Sequence, residues 1–231
     1  MMNSFTIRSF VRRSGRVTVA QQRALETLWP QYGVTTNQNQ LNLEELFGRT
    51  AATHLEIGFG MGDTLVAMAK THPEYNYLGI DVYRPGVGRL LLQLEANQLN
   101  NVRVFCADVV EVLQYQLTVS SLDNVYLFFP DPWPRKRHHK RRLVQPEFIQ
   151  LLAQRMKSGG YLYLATDWQD YAQQMLFVLE SSPDFVNNTV TGDFALSAQP
   201  VERPLTKFEQ RGLRLGNKVW NLLYRRQGMI V

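Results

Sequence analysis

From Ala51 onward, short apolar runs alternate with longer stretches in which apolar residues recur at helical spacing. The runs predict strands at Thr53–Ile57, Tyr77–Ile80, Val102–Cys106, Val125–Phe129 and Tyr161–Ala165, and the intervals between them are long enough for crossover helices. Leu90, Leu91, Leu94 and Leu99 mark the core face of the second crossover. Phe148, Leu151, Leu152 and Met156 mark that of the fourth, with Ser158-Gly159-Gly160 as its expected stop. After Asp167 the pattern predicts a helix over Trp168–Leu179, a polar connection over Ser181–Gly192 and a closing strand around Val219–Tyr224. Strands alternating with helices in this way predict an α/β fold built on a doubly wound, mainly parallel sheet.

The first stretch follows a different pattern. Through about Gln22 it carries Arg8, Arg12, Arg13 and Arg16, no acid and no sustained periodicity. Trp29-Pro30-Gln31-Tyr32-Gly33 reads as a turn and Thr35–Asn42 as a loop. The expected division is a basic arm over residues 1–35, mobile without a polyanion to order it, and a single domain over 36–231.

Charge sharpens this picture. The 231 residues hold 25 Lys and Arg against 20 Asp and Glu. Six of the cations lie in one acid-free segment, Arg135 to Arg142 (RKRHHKRR), and without them 19 basic residues face 20 acidic ones. The excess that would attract a polyanion is therefore local. A single cysteine, Cys106, excludes an internal disulfide, and with no Cys-x-x-Cys and four histidines no metal site is expected. No apolar run reaches the ~20 residues needed to span a bilayer, so a cytoplasmic protein without membrane contact is expected. The residues call for no obligate protein partner, and monomer and homodimer both fit.

Candidate chemistry gathers where the predicted strands end. Glu56-Ile57-Gly58-Phe59-Gly60-Met61-Gly62-Asp63 leaves the first strand and opens a helix, the place where a doubly wound fold holds a nucleotide-like ligand. The spacing is G-x-G-x-G, and Asp63 stands where a dinucleotide fingerprint wants its third glycine, which argues against a pyrophosphate. Asp81, Asp108 and Asp131 end the next three strands, at intervals of 25, 27 and 23 residues from Glu56 onward, so four carboxylates should rim one sheet edge. Any one of these acids alone would as readily be a helix cap.

The segment Glu56–Gly62 resembles the first motif of S-adenosylmethionine-dependent methyltransferases, whose ligand is cationic. By that resemblance Glu56, Gly58 and Gly60 face the methionine moiety, Asp81 accepts from the ribose hydroxyls and Asp108 lies near the adenine amine. The basic loop directly after Pro130-Asp131-Pro132-Trp133-Pro134 suits a phosphate backbone, with Lys140, Arg141 and Arg142 as candidate contacts.

Taken together, Arg8–Arg13 with Gly15-Arg16, Leu55–Gly62, Pro85–Gly88, Phe128–Trp133, His138 with Lys140–Arg142, Ala165–Trp168 and Thr206–Gly212 closely resemble the bacterial tRNA (guanine-N7-)-methyltransferase family, TrmB, over nearly the whole chain. The resemblance implies a Rossmann-like methyltransferase that uses S-adenosylmethionine and no metal to methylate the variable-loop guanosine of tRNA, position 46 in tRNA numbering. It implies cofactor contacts at Glu56, Asp81, Asp108 and Asp131, with Asp131 also catalytic. Substrate contacts are implied at Arg135, at Asp167 and at Thr206, Lys207, Phe208 and Glu209. Two departures stand out: the family often has glutamate at Asp81 and lysine at Arg135.

Guanine N7 carries a lone pair and no proton, so methyl transfer to it requires no base. Asp131 is therefore expected to hold the guanine's donor edge and to stabilise its developing positive charge. Extruding the base costs a few kcal/mol. Trp133 and Phe208 are candidates to stack on it, although packing is the more ordinary role for such rings. Competing readings are an amino-methylating nucleic-acid enzyme, to whose D-P-P-[YFW] motif Asp131-Pro132-Trp133 lacks the second proline, and a silent RNA-binding relative.

Overall fold

The structure, a computed structural model, describes residues 15–189 and 218–228 together with Phe10, Phe194 and Glu209. Among these residues one sheet of seven strands has the order β3-β2-β1-β4-β5-β7-β6. Its strands are β1 (Thr53–Ile57), β2 (Asn76–Asp81), β3 (Val102–Cys106), β4 (Leu122–Phe128), β5 (Met156–Thr166), β6 (Phe185–Asn187) and β7 (Trp220–Arg226). β1 to β5 pair in parallel, and β7 runs antiparallel between β5 and β6. The helices are α1 (Val19–Thr27), α2 (Trp29–Tyr32), α3 (Leu43–Phe47), α4 (Asp63–Thr71), α5 (Arg84–Ala96), α6 (Val109–Glu111), α7 (Pro146–Arg155) and α8 (Gln169–Glu180). A π-helical stretch, Val112–Gln116, continues α6, and a 3₁₀ turn spans Lys136–Arg141.

Successive side chains of a strand point to opposite faces, and the core divides accordingly. Leu55, Ile57, Leu78, Ile80, Leu127 and Leu164 face one layer with Val109, Phe148, Leu152, Tyr171 and Met175 of α6, α7 and α8. Tyr77, Val102, Val104 and Tyr126 face the other, with Leu65, Met68, Leu90 and Leu94 of α4 and α5. This is the Rossmann-like, doubly wound architecture expected from the sequence. Helices on both faces leave the carboxyl ends of β1 to β5 to be roofed by loops. Among the described residues no helix is long and apolar enough to cross a membrane.

Three details differ from expectation. The packed body begins near Thr18 rather than at residue 36. Thr18 and Gln21 form a reciprocal cap on α1, and Ala24, Leu28 and Tyr32 are buried in the core that holds Leu90. α1 escaped notice because it presents little apolar surface. Its close approach to α5 rests on Gly88, where a Cβ would lie 2.9 Å from the Gln21 carbonyl oxygen. Arg8, Arg12 and Arg13 of the predicted arm lie outside the described residues.

Second, the fourth crossover ends at Arg155, before Ser158-Gly159-Gly160. Those glycines lie inside β5 at a register shift opposite Leu122–Asn124, with Gly159 at φ +86° and no room for a Cβ on Gly160, 2.1 Å from the Asp123 carbonyl oxygen. Third, the polar connection after α8 holds β6, an edge strand of three residues too short for alternation to reveal.

Candidate active site

β1 passes into α4 through three glycines in the left-handed region, Gly58 at φ +72°, Gly60 at +59° and Gly62 at +80°, a conformation costly for any residue with a Cβ. Their amides fix the loop: Gly58 N–H donates to the Ile80 carbonyl at 2.8 Å, Gly60 N–H to Asp81 Oδ2 at 2.7 Å and Gly62 N–H to the Phe59 carbonyl at 2.9 Å. Among the described residues nothing lies within 4 Å of where a Cβ on Gly58 or Gly60 would sit, so a ligand can meet the backbone there. Gly86 on α5 completes the seat, since a Cβ on it would lie 1.9 Å from the Gly60 carbonyl oxygen. A glycine inside a helix costs about 1 kcal/mol. Two glycines inside the expected second crossover helix are the sequence signal for a packing role at Gly86 and Gly88.

The carboxylates stand around this loop. Glu56 is 3% exposed, in register with Gly79 and Tyr126. Asp81 closes β2 and accepts from Gly60 N–H at 2.7 Å through Oδ2 and from Tyr83 N–H at 2.8 Å through Oδ1. Burial pushes its carboxyl above the usual range, the amides of Tyr83, Gly60 and Val82 pull it back, and the charge of Asp131 raises it. Asp108, two residues beyond β3, caps α6 by accepting from Val110 N–H at 3.0 Å. Capping is therefore an observed role of this side chain. Asp131 follows β4 and Asp167 follows β5. The structure thus brings Glu56, Asp81, Asp108, Asp131 and Asp167 to one edge of five adjacent parallel strands.

Asp63 plays a different part from the one expected. It accepts from Arg89 Nη2 and Gln93 Nε2, both at 2.9 Å, and ties α4 to α5. Its charge is balanced by Arg89, so it is a weaker argument against a pyrophosphate than the sequence suggested. The stronger argument is the set of carboxylates, which suits a ligand rich in donors and positive charge.

The loop after β4 is strained at both ends. Phe129 has φ +51° and Trp133 φ +46°, uncommon for bulky residues and typical of segments held for function. Phe129 N–H donates to the Ala165 carbonyl at 2.8 Å, which anchors the start. Trp133 lies between the Arg141 guanidinium, 5.0 Å from its ring centre, and His138, packed edge-on at 5.7 Å. Packing within the loop is therefore its observed role. Arg135, Lys136, Arg137 and Lys140 are exposed, as a phosphate-binding turn requires. Partial desolvation and then the charges of Arg137, Arg141, Arg135 and Lys140 hold the His138 pKa below the usual range.

Arg142 corrects the sequence reading. Placed there among the RNA-backbone contacts, it has a side chain only 1% exposed. Nε donates to the Pro132 carbonyl at 2.8 Å and Nη1 to Gln174 Oε1 at 2.7 Å, while Nη2 meets Asp170 Oδ2 at 2.5 Å and His139 Nε2 at 3.0 Å. Its guanidinium lies 4.9 Å from the centre of the Tyr171 ring. A charge run in sequence cannot show that its last member turns inward, because the partners that receive it are about 30 residues away on α8. Of the remaining candidates, Thr206, Lys207 and Phe208 lie outside the described residues, and Glu209 is 1% exposed.

A glycine cradle open to a ligand, ringed by acids at the carboxyl ends of a parallel sheet, is the ligand-binding edge of a Rossmann-like fold. Residues 50–222 match the family described as "Putative methyltransferase". Among solved structures, the 16S rRNA methyltransferase KamB is similar in fold, with a TM-score of 0.56 at 15% identity over 86% of this chain and 99% of that one. A curated protein of Alkalilimnicola ehrlichii named tRNA (guanine-N(7)-)-methyltransferase is 54% identical over 96% of this chain and 93% of its own length. One of the same name from Nitrosospira multiformis is 52% identical over 96% and 95%. The chain belongs to the tRNA (guanine-N(7)-)-methyltransferase family.

Proposed function

We propose that this protein is a cytoplasmic enzyme that methylates N7 of the variable-loop guanosine, position 46, in tRNA, with S-adenosylmethionine as donor. The observation that carries the reading is the juxtaposition of the acid-ringed glycine cradle with an exposed cationic turn on one loop, Phe129 to Arg142. Bound, S-adenosylmethionine supplies an electrophilic methyl group on a positively charged sulfur. Glu56, the backbone at Gly58 and Gly60, Asp81 and Asp108 would hold it. The fit rests on the open space at Gly58 and Gly60 and on carboxylates that match an amine, hydroxyls and a cation.

In this reading Asp131 accepts from the guanine's ring N–H and exocyclic amine, turns N7 toward the donor and stabilises the positive charge that the base acquires. Asp167, at the neighbouring strand end, shares the orientation of the base. Positioning supplies much of the rate, because nucleophile and methyl carbon must meet in line at near-contact distance. The exposed cations of the turn hold the phosphate backbone.

Two measurements test this reading. Replacing guanosine 46 by adenosine in an otherwise unchanged transcript should abolish methyl incorporation, and undiminished incorporation would refute the position. Arg135→Ala and Lys140→Ala should each weaken tRNA binding and flatten the log–log salt dependence of the association constant by about one unit per lost phosphate contact. An unchanged slope would remove the turn from the RNA interface.

A further inference from the structure

We propose that Arg142 is a positioning residue for methyl transfer: it holds the Asp131 loop in its reactive shape through the Pro132 carbonyl and does not touch RNA. The proposal deepens the tRNA methyltransferase reading and rests on it.

The Asp131 loop has two strained ends and little regular structure to maintain them. Its first end is tied to β5 by the Phe129 amide. Its second end is tied by Arg142 Nε, 2.8 Å from the Pro132 carbonyl oxygen, one residue past Asp131 and one before the positive φ of Trp133. A backbone bond at that place fixes the peptide that sets the direction of both neighbouring residues. Arg142 is itself fixed by α8. Gln174 and Asp170 lie one turn apart on that helix and receive Nη1 and Nη2, and Tyr171 between them stacks beneath the guanidinium. The Tyr171 hydroxyl accepts from Val144 N–H at 3.1 Å and Gln174 Nε2 donates to the Val144 carbonyl at 3.2 Å, so the chain just after Arg142 is clamped to the same helix.

Ionic attraction alone does not explain this arrangement. Asp170, the carboxylate paired with Arg142 among the described residues, is itself 59% exposed, and an exposed partner contributes little to stability. What the guanidinium offers is a planar fork with donors in three directions, which a lysine cannot reproduce. It carries the rigidity of α8 to the loop that bears the acid. A shift of about 1 Å in a positioned group costs roughly 10²-fold in rate.

The test is Arg142→Lys, with Gln174→Ala as a milder variant that leaves the cation in place. Both are prepared with 5-fluorotryptophan so that the ¹⁹F resonance of Trp133 reports loop order independently of activity. Arg142→Lys should shift or broaden the Trp133 resonance while leaving that of Trp29 unmoved. It should lower single-turnover methylation of tRNA about 10- to 100-fold, with dissociation constants for tRNA and S-adenosylmethionine within about twofold of wild type and an unchanged salt slope. Gln174→Ala should give the same pattern at smaller amplitude. A flattened salt slope would make Arg142 a phosphate contact and overturn the proposal. So would an unperturbed Trp133 resonance, or a rate that stays normal below a lowered melting temperature. A wild-type protein that never methylates tRNA would defeat the functional reading instead, and the Trp133 resonance would still decide whether Arg142 orders the loop.

Discussion

Asp131→Asn is expected to lower the methylation rate of tRNA by about 10²–10³-fold, the effect of removing one preorganised electrostatic partner from a transition state. Dissociation constants for tRNA and S-adenosylmethionine should stay within a few-fold of wild type. Asparagine keeps the volume of the side chain, so the strained loop between Phe129 and Trp133 has no reason to move. Its chemistry differs in two respects. One acceptor oxygen becomes an NH₂ donor that faces the donor edge of guanine, and the negative charge that offsets alkylation at N7 disappears. Because N7 carries no proton, raising the pH should not rescue the variant, whereas a general base lost at this position would leave a rate that climbs with hydroxide. Near-normal turnover, measured under single-turnover conditions, would sink the assignment.

The second large effect is expected at Asp81, on the binding of S-adenosylmethionine rather than on turnover. Both oxygens already accept a backbone amide, Gly60 through Oδ2 and Tyr83 through Oδ1. A carboxylate has about four lone-pair sites, so acceptors remain for two ribose hydroxyls. In Asp81→Asn one of these two backbone N–H groups meets an NH₂ group, and at least one hydroxyl loses its charged acceptor. Hydrogen bonds to charged groups are worth about 1.5–3 kcal/mol each, so losing one or two predicts a dissociation constant for S-adenosylmethionine weakened by about 10²-fold. Calorimetric titration measures this directly. The affinity for tRNA, proposed above to rest on the loop after β4, should be unchanged; an unaltered affinity for S-adenosylmethionine would remove Asp81 from the cofactor site.

Most of the parallel sheet was legible because its strands are buried on both faces and read as short, dense apolar runs. β1 and β3 fall on the predicted bounds, β2, β4 and β7 lie close to theirs, and β5 contains its predicted run but starts five residues earlier, at Met156. The acids at the strand ends were legible for a related reason: the βα repeat places one strand end about every 25 residues, so their spacing carried spatial information. What escaped notice lacks such a period. β6 is too short, α1 buries only Ala24 and meets α5 through Gln21 at Gly88, and Gly86 shows its role only once α5 is seated on the Gly60 carbonyl. Arg142 is the sharpest case. Its neighbours Arg135, Lys136, Arg137 and Lys140 are exposed as their composition suggests, yet the same composition hid an inward turn that only α8 explains.

Methylation of tRNA at guanine N7 is tested by incubating the purified protein with an unmodified tRNA transcript and methyl-labelled S-adenosylmethionine, followed by nucleoside analysis of the digest. Label is expected in 7-methylguanosine alone. Label in any other nucleoside, or none from a protein that binds the transcript, would contradict it.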